Sequence, residues 1–122
     1  MKRFYLLILM LAILTSGCGK VNPIEGTTWE STSSHFCQWE NSNLNGDYSE
    51  ILSFQEDRVI SKTLKDGHTY RNNGSFKYEY VKKDSGKDVV CIHDYYSKDT
   101  AADFYYYGDR IVYGILTVFY KQ

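Results

Sequence analysis

The chain has 122 residues and a formal net charge of −1, which suits one small domain and lacks the basic excess of a nucleic-acid-binding protein. Tyrosine supplies 12 of the aromatic residues, against six phenylalanines and two tryptophans, and Pro23 is the single proline. This composition excludes Pro-rich disorder and a helical bundle rich in Ala, Leu, Glu and Lys, and it favours β-strands.

Residues 1–17 have the pattern of an export signal. A basic start is followed by an unbroken apolar run, residues 4–14, and small side chains precede Cys18. The run fits a secretory signal and is shorter than the roughly 20 apolar residues that span a bilayer. Residues 14–18, Leu-Thr-Ser-Gly-Cys, resemble the cleavage box of bacterial lipoproteins, although Thr15 stands where that box usually has Leu. The resemblance implies that residues 1–17 are removed and that Cys18 is lipidated.

A lipid on Cys18 predicts attachment to a membrane of the bacterial cell envelope. Lipoproteins of this kind carry several acyl chains, such as palmitate, and more than one chain gives stable anchoring. By the same resemblance, Gly19 rather than Asp after the cysteine favours the outer membrane. Residues 18–25 are then the lipidated N-terminus and a tether. An ordinary signal peptide with a chance cysteine is the alternative.

Residues 26–122 predict one all-β domain. Short strands recur along it at 27–33, 49–55, 58–64, 68–71, 75–81, 89–95, 103–107, 110–113 and 115–121, with 35–40 as an extended piece and 41–46 as a loop. Asn72, Asn73 and Gly74 indicate a hairpin or a bulge. Residues 98–103 are a candidate short helix. About eight strands in sequential order predict an antiparallel meander that closes into a small barrel or curls around a core, with a β-sandwich as the alternative.

The cysteines and histidines show no metal-binding pattern. Cys37 and Cys91 can form a disulfide in an oxidising envelope, or they can be two buried cysteines that act as small apolar groups. His35, His68 and His93 are scattered, and none has metal-ligand spacing to a cysteine. The sequence therefore predicts no metal site and implies no cofactor.

No catalytic pattern stands out either. His93 and Asp94 are adjacent on a predicted strand and would point to opposite faces. Cys37 has a histidine two residues away, His35, but a disulfide or a place in the core is the simpler interpretation of this cysteine. The chain has no nucleophile elbow, phosphate-binding glycine loop or calcium loop. We therefore expect a protein that is not an enzyme.

Three stretches of the domain resemble the small lipocalin-like lipoproteins of Bacteroides-type bacteria. They are residues 26–29, Gly-Thr-Thr-Trp, residues 52–54, Leu-Ser-Phe, followed by Asp57, and residues 119–121, Phe-Tyr-Lys. In lipocalins a Gly-x-Trp on the first strand plugs the barrel end, and a basic residue near the last strand covers the ring. The resemblance implies an apolar ligand and a barrel that Trp29 closes with Lys121 or Arg110. The match departs from the family in the spacing of the Gly and Trp and in the shorter chain.

Five tyrosines are the candidate binding residues. They form two runs, Tyr95-Tyr96 and Tyr105-Tyr106-Tyr107, which place rings on both faces of the predicted strands. One face can enter the core, and the other is a candidate binding face, since tyrosine is favoured at interfaces. Alternatively, these rings only stabilise cross-strand neighbours. We expect a membrane-anchored envelope lipoprotein that binds a small apolar ligand or a partner, or else a structural or inhibitory protein that acts through protein contacts alone.

Overall fold

The protein is a closed antiparallel β-barrel. The computed structural model describes residues 22–84 and 86–122. Eight strands follow one another in chain order around the barrel, and β8 pairs with β1 to close it. The predicted all-β meander is therefore confirmed, and of the alternatives it is the barrel that forms. The predicted signal, residues 1–17, and the predicted lipidation site, Cys18, lie outside the described residues.

The elements are short except for one long strand. The strands are β1 (Thr28–Ser31), β2 (Tyr48–Phe54), β3 (Arg58–Lys65), β4 (His68–Val81), β5 (Asp88–His93), β6 (Ala101–Tyr106), β7 (Arg110–Tyr113) and β8 (Thr117–Lys121), and the helix α1 (Gln38–Asn43) lies between β1 and β2. No helix in the described ranges has the length and apolar character that crossing a bilayer requires.

Two predictions about helices are wrong. The candidate helix at residues 98–103 does not form, because β6 begins at Ala101 and alternates with period two, placing Ala102 and Phe104 in the core. A helix forms instead at α1, where the sequence predicts an extended piece and a loop. With only six residues, α1 shows no helical periodicity, and side-chain bonds from Asn41 to the Thr32 and Tyr48 carbonyls hold it in place.

The predicted hairpin or bulge around Asn72–Gly74 is a bulge within β4. This strand runs without a break for 14 residues and pairs with β3 along most of its length. The pairing register shifts between Ser61 and Lys62 and again between Thr63 and Leu64. Gly74 sits there with φ of +133°, a conformation that favours glycine. The irregularity lets β4 bend around the barrel.

Because neighbouring strands are antiparallel, the connections alternate between two ends of the barrel. One end holds residues 32–47 between β1 and β2, together with the turns at 66–67, 94–100 and 114–116. We call this the capped end, because residues 32–44, the cap segment, lie over it. The other end holds the turns at 55–57, 82–87 and 107–109 and the first described residues. We call it the N-terminal end.

The second half of the predicted tether packs against the barrel. Ile24 is fully buried, and the Asn22 side chain donates to the Tyr78 hydroxyl at 3.1 Å. The Asn22 carbonyl oxygen accepts from the backbone N–H groups of Ile24 and Glu25, which makes a local turn. The Gly26 N–H then donates to the Phe54 carbonyl at 2.8 Å. These contacts hold residues 22–25 against the N-terminal end of the barrel.

Inward side chains divide the interior into an apolar part and a polar part. Along β2, Tyr48, Glu50, Leu52 and Phe54 alternate with outward residues and are all buried. Leu52 and Phe54 join the core, which also includes Trp29, Val90, Ile92, Phe104, Ile111 and Phe119. Glu50 lies closer to the capped end, where buried polar side chains replace the apolar ones.

Candidate functional site

A carboxylate lies inside the barrel beneath the cap segment. Glu50 is fully buried, and the Tyr95 hydroxyl donates to its Oε1 at 2.6 Å while the Ser61 hydroxyl donates to its Oε2. Burial raises the pKa of Glu50 to about 7, although hydrogen bonds from Ser34, Ser61 and Tyr95 and the charge of Arg71 oppose the shift. The side chain can therefore gain or lose a proton near neutral pH.

Arg71 of β4 connects this interior to the cap segment. Its Nη2 lies 2.8 Å from the nearly buried Glu40 carboxylate and donates to the Phe36 carbonyl, also at 2.8 Å. Its Nε donates to Asn73 Oδ1 at 3.1 Å, and Asn73 in turn donates to the Ser61 hydroxyl at 2.9 Å. One chain of hydrogen bonds thus runs from the cap through Arg71 to the residues that hold Glu50.

A buried thiol lies beside this polar cluster. Cys37 is buried beside it, with its Sγ 3.3 Å from the Ser34 hydroxyl. Burial raises the pKa of the Cys37 thiol, so this thiol is not an activated nucleophile. Within residues 22–84 and 86–122, no three His, Cys, Asp or Glu side chains are gathered as metal ligands.

An aromatic cluster fills the barrel next to the polar one. The Phe104 ring lies 5.4 Å from that of Tyr95 and 5.9 Å from that of Phe119, measured between centroids. Trp29 meets Tyr106 edge to face at 6.2 Å, and Tyr95 is also in contact with the rings of Phe36 and Phe76. These are the spacings of packed aromatic pairs, so the protein's own rings occupy this part of the interior.

The structure does not bring the five predicted binding tyrosines onto one face. Tyr95 is buried in the aromatic cluster, and Tyr96 is half-buried over the capped end, 4.8 Å from the ring of His35. Tyr106 points inward beside Trp29 and is half-buried. Tyr105 and Tyr107 are exposed on the outside. Alternation along β6 separates Tyr105 from Tyr106, as expected for neighbouring residues of a strand.

The predicted barrel-closing residues are neighbours across the β1–β8 seam. Trp29 is fully buried, is opposite Lys121 in the strand register, and donates from Nε1 to the Thr27 hydroxyl at 2.7 Å. Lys121 is exposed, and the Arg110 guanidinium lies over Tyr107, 4.8 Å from the ring centroid. Among the described residues, the aromatic ring that packs against Trp29 is that of Tyr106.

The two cysteines of the domain are free thiols, and the disulfide that the sequence permits is not formed. Cys37 lies inside under the cap segment. Cys91 lies in β5 between Val90 and Ile92, which are both fully buried and point inward, so its own side chain points outward. His93 shares this outer face, with its Nε2 3.9 Å from the Glu79 carboxylate.

A set of exposed apolar residues at the capped end was not predicted from the sequence. Trp39 is 62% exposed, Leu116 72% and Ile115 94%, and Leu44 is also exposed. We call these four residues the apolar tip. Trp39 and Leu44 belong to the connection that follows β1, whereas Ile115 and Leu116 form the turn between β7 and β8. The adjacent Ile115 and Leu116 after Gly114 are the sequence feature that could have indicated this surface, because aliphatic residues are not typical of turns.

Comparison of the chain with protein-family models, with curated proteins and with solved structures finds no match in any of the three. The strand arrangement is therefore the basis for classifying the fold. Eight antiparallel strands in meander order close into a barrel, which is consistent with a lipocalin-like fold.

Proposed function

We propose that this protein is a non-catalytic, lipid-anchored module of the bacterial cell envelope that binds a protein partner through the apolar tip. The contrast between an interior filled by the protein's own rings and large apolar side chains exposed at one end carries this proposal. The resemblance of residues 14–18 to a lipoprotein cleavage box, with Gly19 after the cysteine, supports an outer-membrane location.

The interior favours a partner over a small apolar ligand. Trp29, Phe104 and Phe119 are each fully buried by other parts of the chain. A ligand inside the barrel would have to displace such rings, and opening a core costs several kcal/mol for each large side chain whose contacts are lost. The cap segment adds a second barrier, since Arg71 fastens it to the barrel.

The position of the N-terminus supports an outward-facing apolar tip. Asn22 is bonded at the N-terminal end of the barrel, and four residue steps connect it to Cys18. A chain of this length spans at most about 14 Å. A lipid on Cys18 would therefore hold the N-terminal end close to the membrane, and the capped end would project from it.

The apolar tip has the composition of a protein-binding surface. Burying one exposed large aliphatic or aromatic side chain contributes roughly 1.5–3 kcal/mol, and tryptophan is enriched among residues that dominate binding energy. Ile115 is almost completely exposed, so nearly all of this contribution is available to a partner.

Photo-crosslinking in the bacterium that produces the protein tests the proposal. A photoreactive amino acid replaces Ile115 in the full chain, and the control carries it at Lys62, on the outer wall of β3. We expect one discrete crosslinked protein from position 115, none from position 62, and loss of the product when Trp39→Ser is added. Equal crosslinking from both positions would contradict docking at the apolar tip. An extra small-molecule mass in native mass spectrometry would favour the apolar-ligand alternative.

A further inference from the structure

The N-terminal end of the barrel carries a second exposed surface, which is basic and aromatic. The loop after β4, the turn between β6 and β7, and the end of β8 form it. We call it the basic surface, and its cations are Lys82, Lys83, Lys87, Arg110 and Lys121.

Contacts around Tyr107 bring these segments together. The Lys87 Nζ lies 4.7 Å from the centroid of the Tyr107 ring, and the Arg110 guanidinium carbon lies 4.8 Å from it. The Lys121 backbone N–H donates to the Asp109 carbonyl at 2.9 Å, which places the end of β8 beside the same turn. An exposed tyrosine between two cations is thus the centre of the basic surface.

Positive charge exceeds negative charge on this surface. The five cations are accompanied by three side-chain carboxylates, those of Asp84, Asp88 and Asp109, which leaves a local side-chain charge of +2. Asp88 accepts from the Tyr80 hydroxyl and from the Lys83 backbone N–H, and Asp109 is paired with Arg110 at 3.1 Å. Among the ion pairs of residues 22–84 and 86–122, none involves the four lysines.

The same end also carries an acidic groove. Glu25, Glu56 and Glu79 line an open groove of about 320 Å³ together with Asn22, Tyr78 and Tyr80. The N-terminal end therefore carries charges of both signs, with the basic surface around Tyr107 and an acidic groove beside Asn22. A negatively charged plane near this end would attract the basic surface and repel the groove, and so would bias the tilt of the barrel.

We propose that the basic surface contacts the anionic headgroups of the bilayer that holds the lipid of Cys18. This inference rests on the proposed lipid anchor, whose tether of at most about 14 Å keeps the N-terminal end near the membrane. Attraction to an anionic surface acts within about 8–10 Å at physiological salt. It raises the membrane-binding constant roughly fivefold for each Lys or Arg near the surface. Tyr107 and Tyr105 are both exposed. Tyrosine side chains are enriched at the level of the lipid headgroups, where the apolar ring faces the bilayer and the hydroxyl stays in water.

Lysine footprinting on membranes tests the contact. The full chain is expressed in a bacterium that lipidates it, and the mature protein is reconstituted into vesicles of phosphatidylcholine alone or with about one-third phosphatidylglycerol. A water-soluble acetylating reagent then labels exposed amines, and mass spectrometry reads each site. We expect roughly threefold slower acetylation of Lys82, Lys83 and Lys87 on the anionic vesicles, reversed in about 0.5 M salt. Lys62 and Lys98, on the wall and at the capped end, serve as internal controls and should not change.

Charge reversal and flotation separate this inference from the anchor on which it rests. The double variant Lys83→Glu/Lys87→Glu should lose the protection at Lys82, whereas Lys62→Glu should keep it. Protein that floats with both vesicle types but shows equal acetylation on both would overturn the headgroup contact and leave the anchor standing. Protein that floats with neither would overturn the anchor and the contact with it.

Discussion

Replacing Glu50 by glutamine should remove a large pH dependence from the stability of this barrel. The pKa of Glu50 is about 7 in the folded chain, against an ordinary value of 4.5, because burial disfavours its charged form. The folded state therefore holds a proton that the unfolded state releases between these two values. Stability from this group is complete below about pH 4.5 and is lost as pH rises through about 7.

The difference between the two pKa values corresponds to roughly 3 kcal/mol. Glutamine is close in shape and its amide oxygen can still accept from the Tyr95 or Ser61 hydroxyl, but it cannot ionise. We expect Glu50→Gln and the wild type to differ little at pH 4.5. At pH 8.5 the variant should be more stable by about 3 kcal/mol, because the wild type then carries a buried charge.

Urea unfolding at several pH values between 4.5 and 8.5 measures this difference directly. Other titrating groups contribute alike to both proteins, so the free-energy difference between them isolates Glu50. The control is Glu56→Gln, since Glu56 is exposed in the turn between β2 and β3. A stability difference between Glu50→Gln and the wild type that stays constant with pH would refute the reasoning, because it would mean that Glu50 does not change its proton occupancy on folding.

Three further outcomes are expected. Arg71→Met should lower the free energy of unfolding by about 2 kcal/mol, because it leaves the nearly buried Glu40 carboxylate without its partner. The loss should be smaller than for a fully buried pair, because Arg71 is partly exposed. Urea unfolding measures the loss, and amide exchange in α1 should become faster. Phe104→Ala should cost about 3–5 kcal/mol, since it empties the centre of the aromatic cluster; thermal unfolding measures this loss. A thiol reagent should label Cys91 slowly, because burial raises its pKa to about 11, and Cys37 only after unfolding; intact mass counts the labels.

Each of these outcomes has a matched comparison. Arg58→Met removes an exposed arginine and should change stability by less than about 0.5 kcal/mol. Tyr105→Ala removes an outward ring of the same strand as Phe104 and should cost far less. Equal losses within either pair would contradict the burial pattern. Rapid labelling of Cys37 in the folded protein would show that the cap segment does not close over it.

Most of the strands could be predicted from period-two patterns in the sequence. The alternation of Phe76, Tyr78 and Tyr80 with charged residues predicted the second half of β4, and sequential strands with short turns predicted the meander. Closure could not be predicted, because it depends on pairing between β1 and β8, which are far apart in the chain. The helix α1 was missed since tertiary bonds from Asn41 stabilise it, and local propensity does not report such bonds.

The candidate sites were harder to predict than the strands. Alternation in residues 49–55 places Glu50 on the same face as Leu52 and Phe54, so a buried carboxylate could have been inferred there. Its link through Arg71 to the cap segment joins residues distant in sequence and needed the structure. The tyrosine runs gave side chains on two faces but no indication of which face enters the core. The sequence predicts Ile115 and Leu116 in a strand, whereas the structure places them in an exposed turn between β7 and β8.

The barrel is closed by seams of unequal length, and the two shortest flank one hairpin. Only two residue pairs join β6 to β7, and only two join β1 to β8, whereas β2 and β3 share seven. The hairpin of β7 and β8 is therefore held to its neighbours mainly by its buried side chains, Ile111 and Phe119, and it is the part expected to detach first in local unfolding. Ile115 and Leu116 form the turn of this hairpin. A partner that binds the apolar tip would therefore stabilise the barrel where its strand pairing is shortest. Binding should slow amide exchange along β7 and β8, including residues that the partner does not contact.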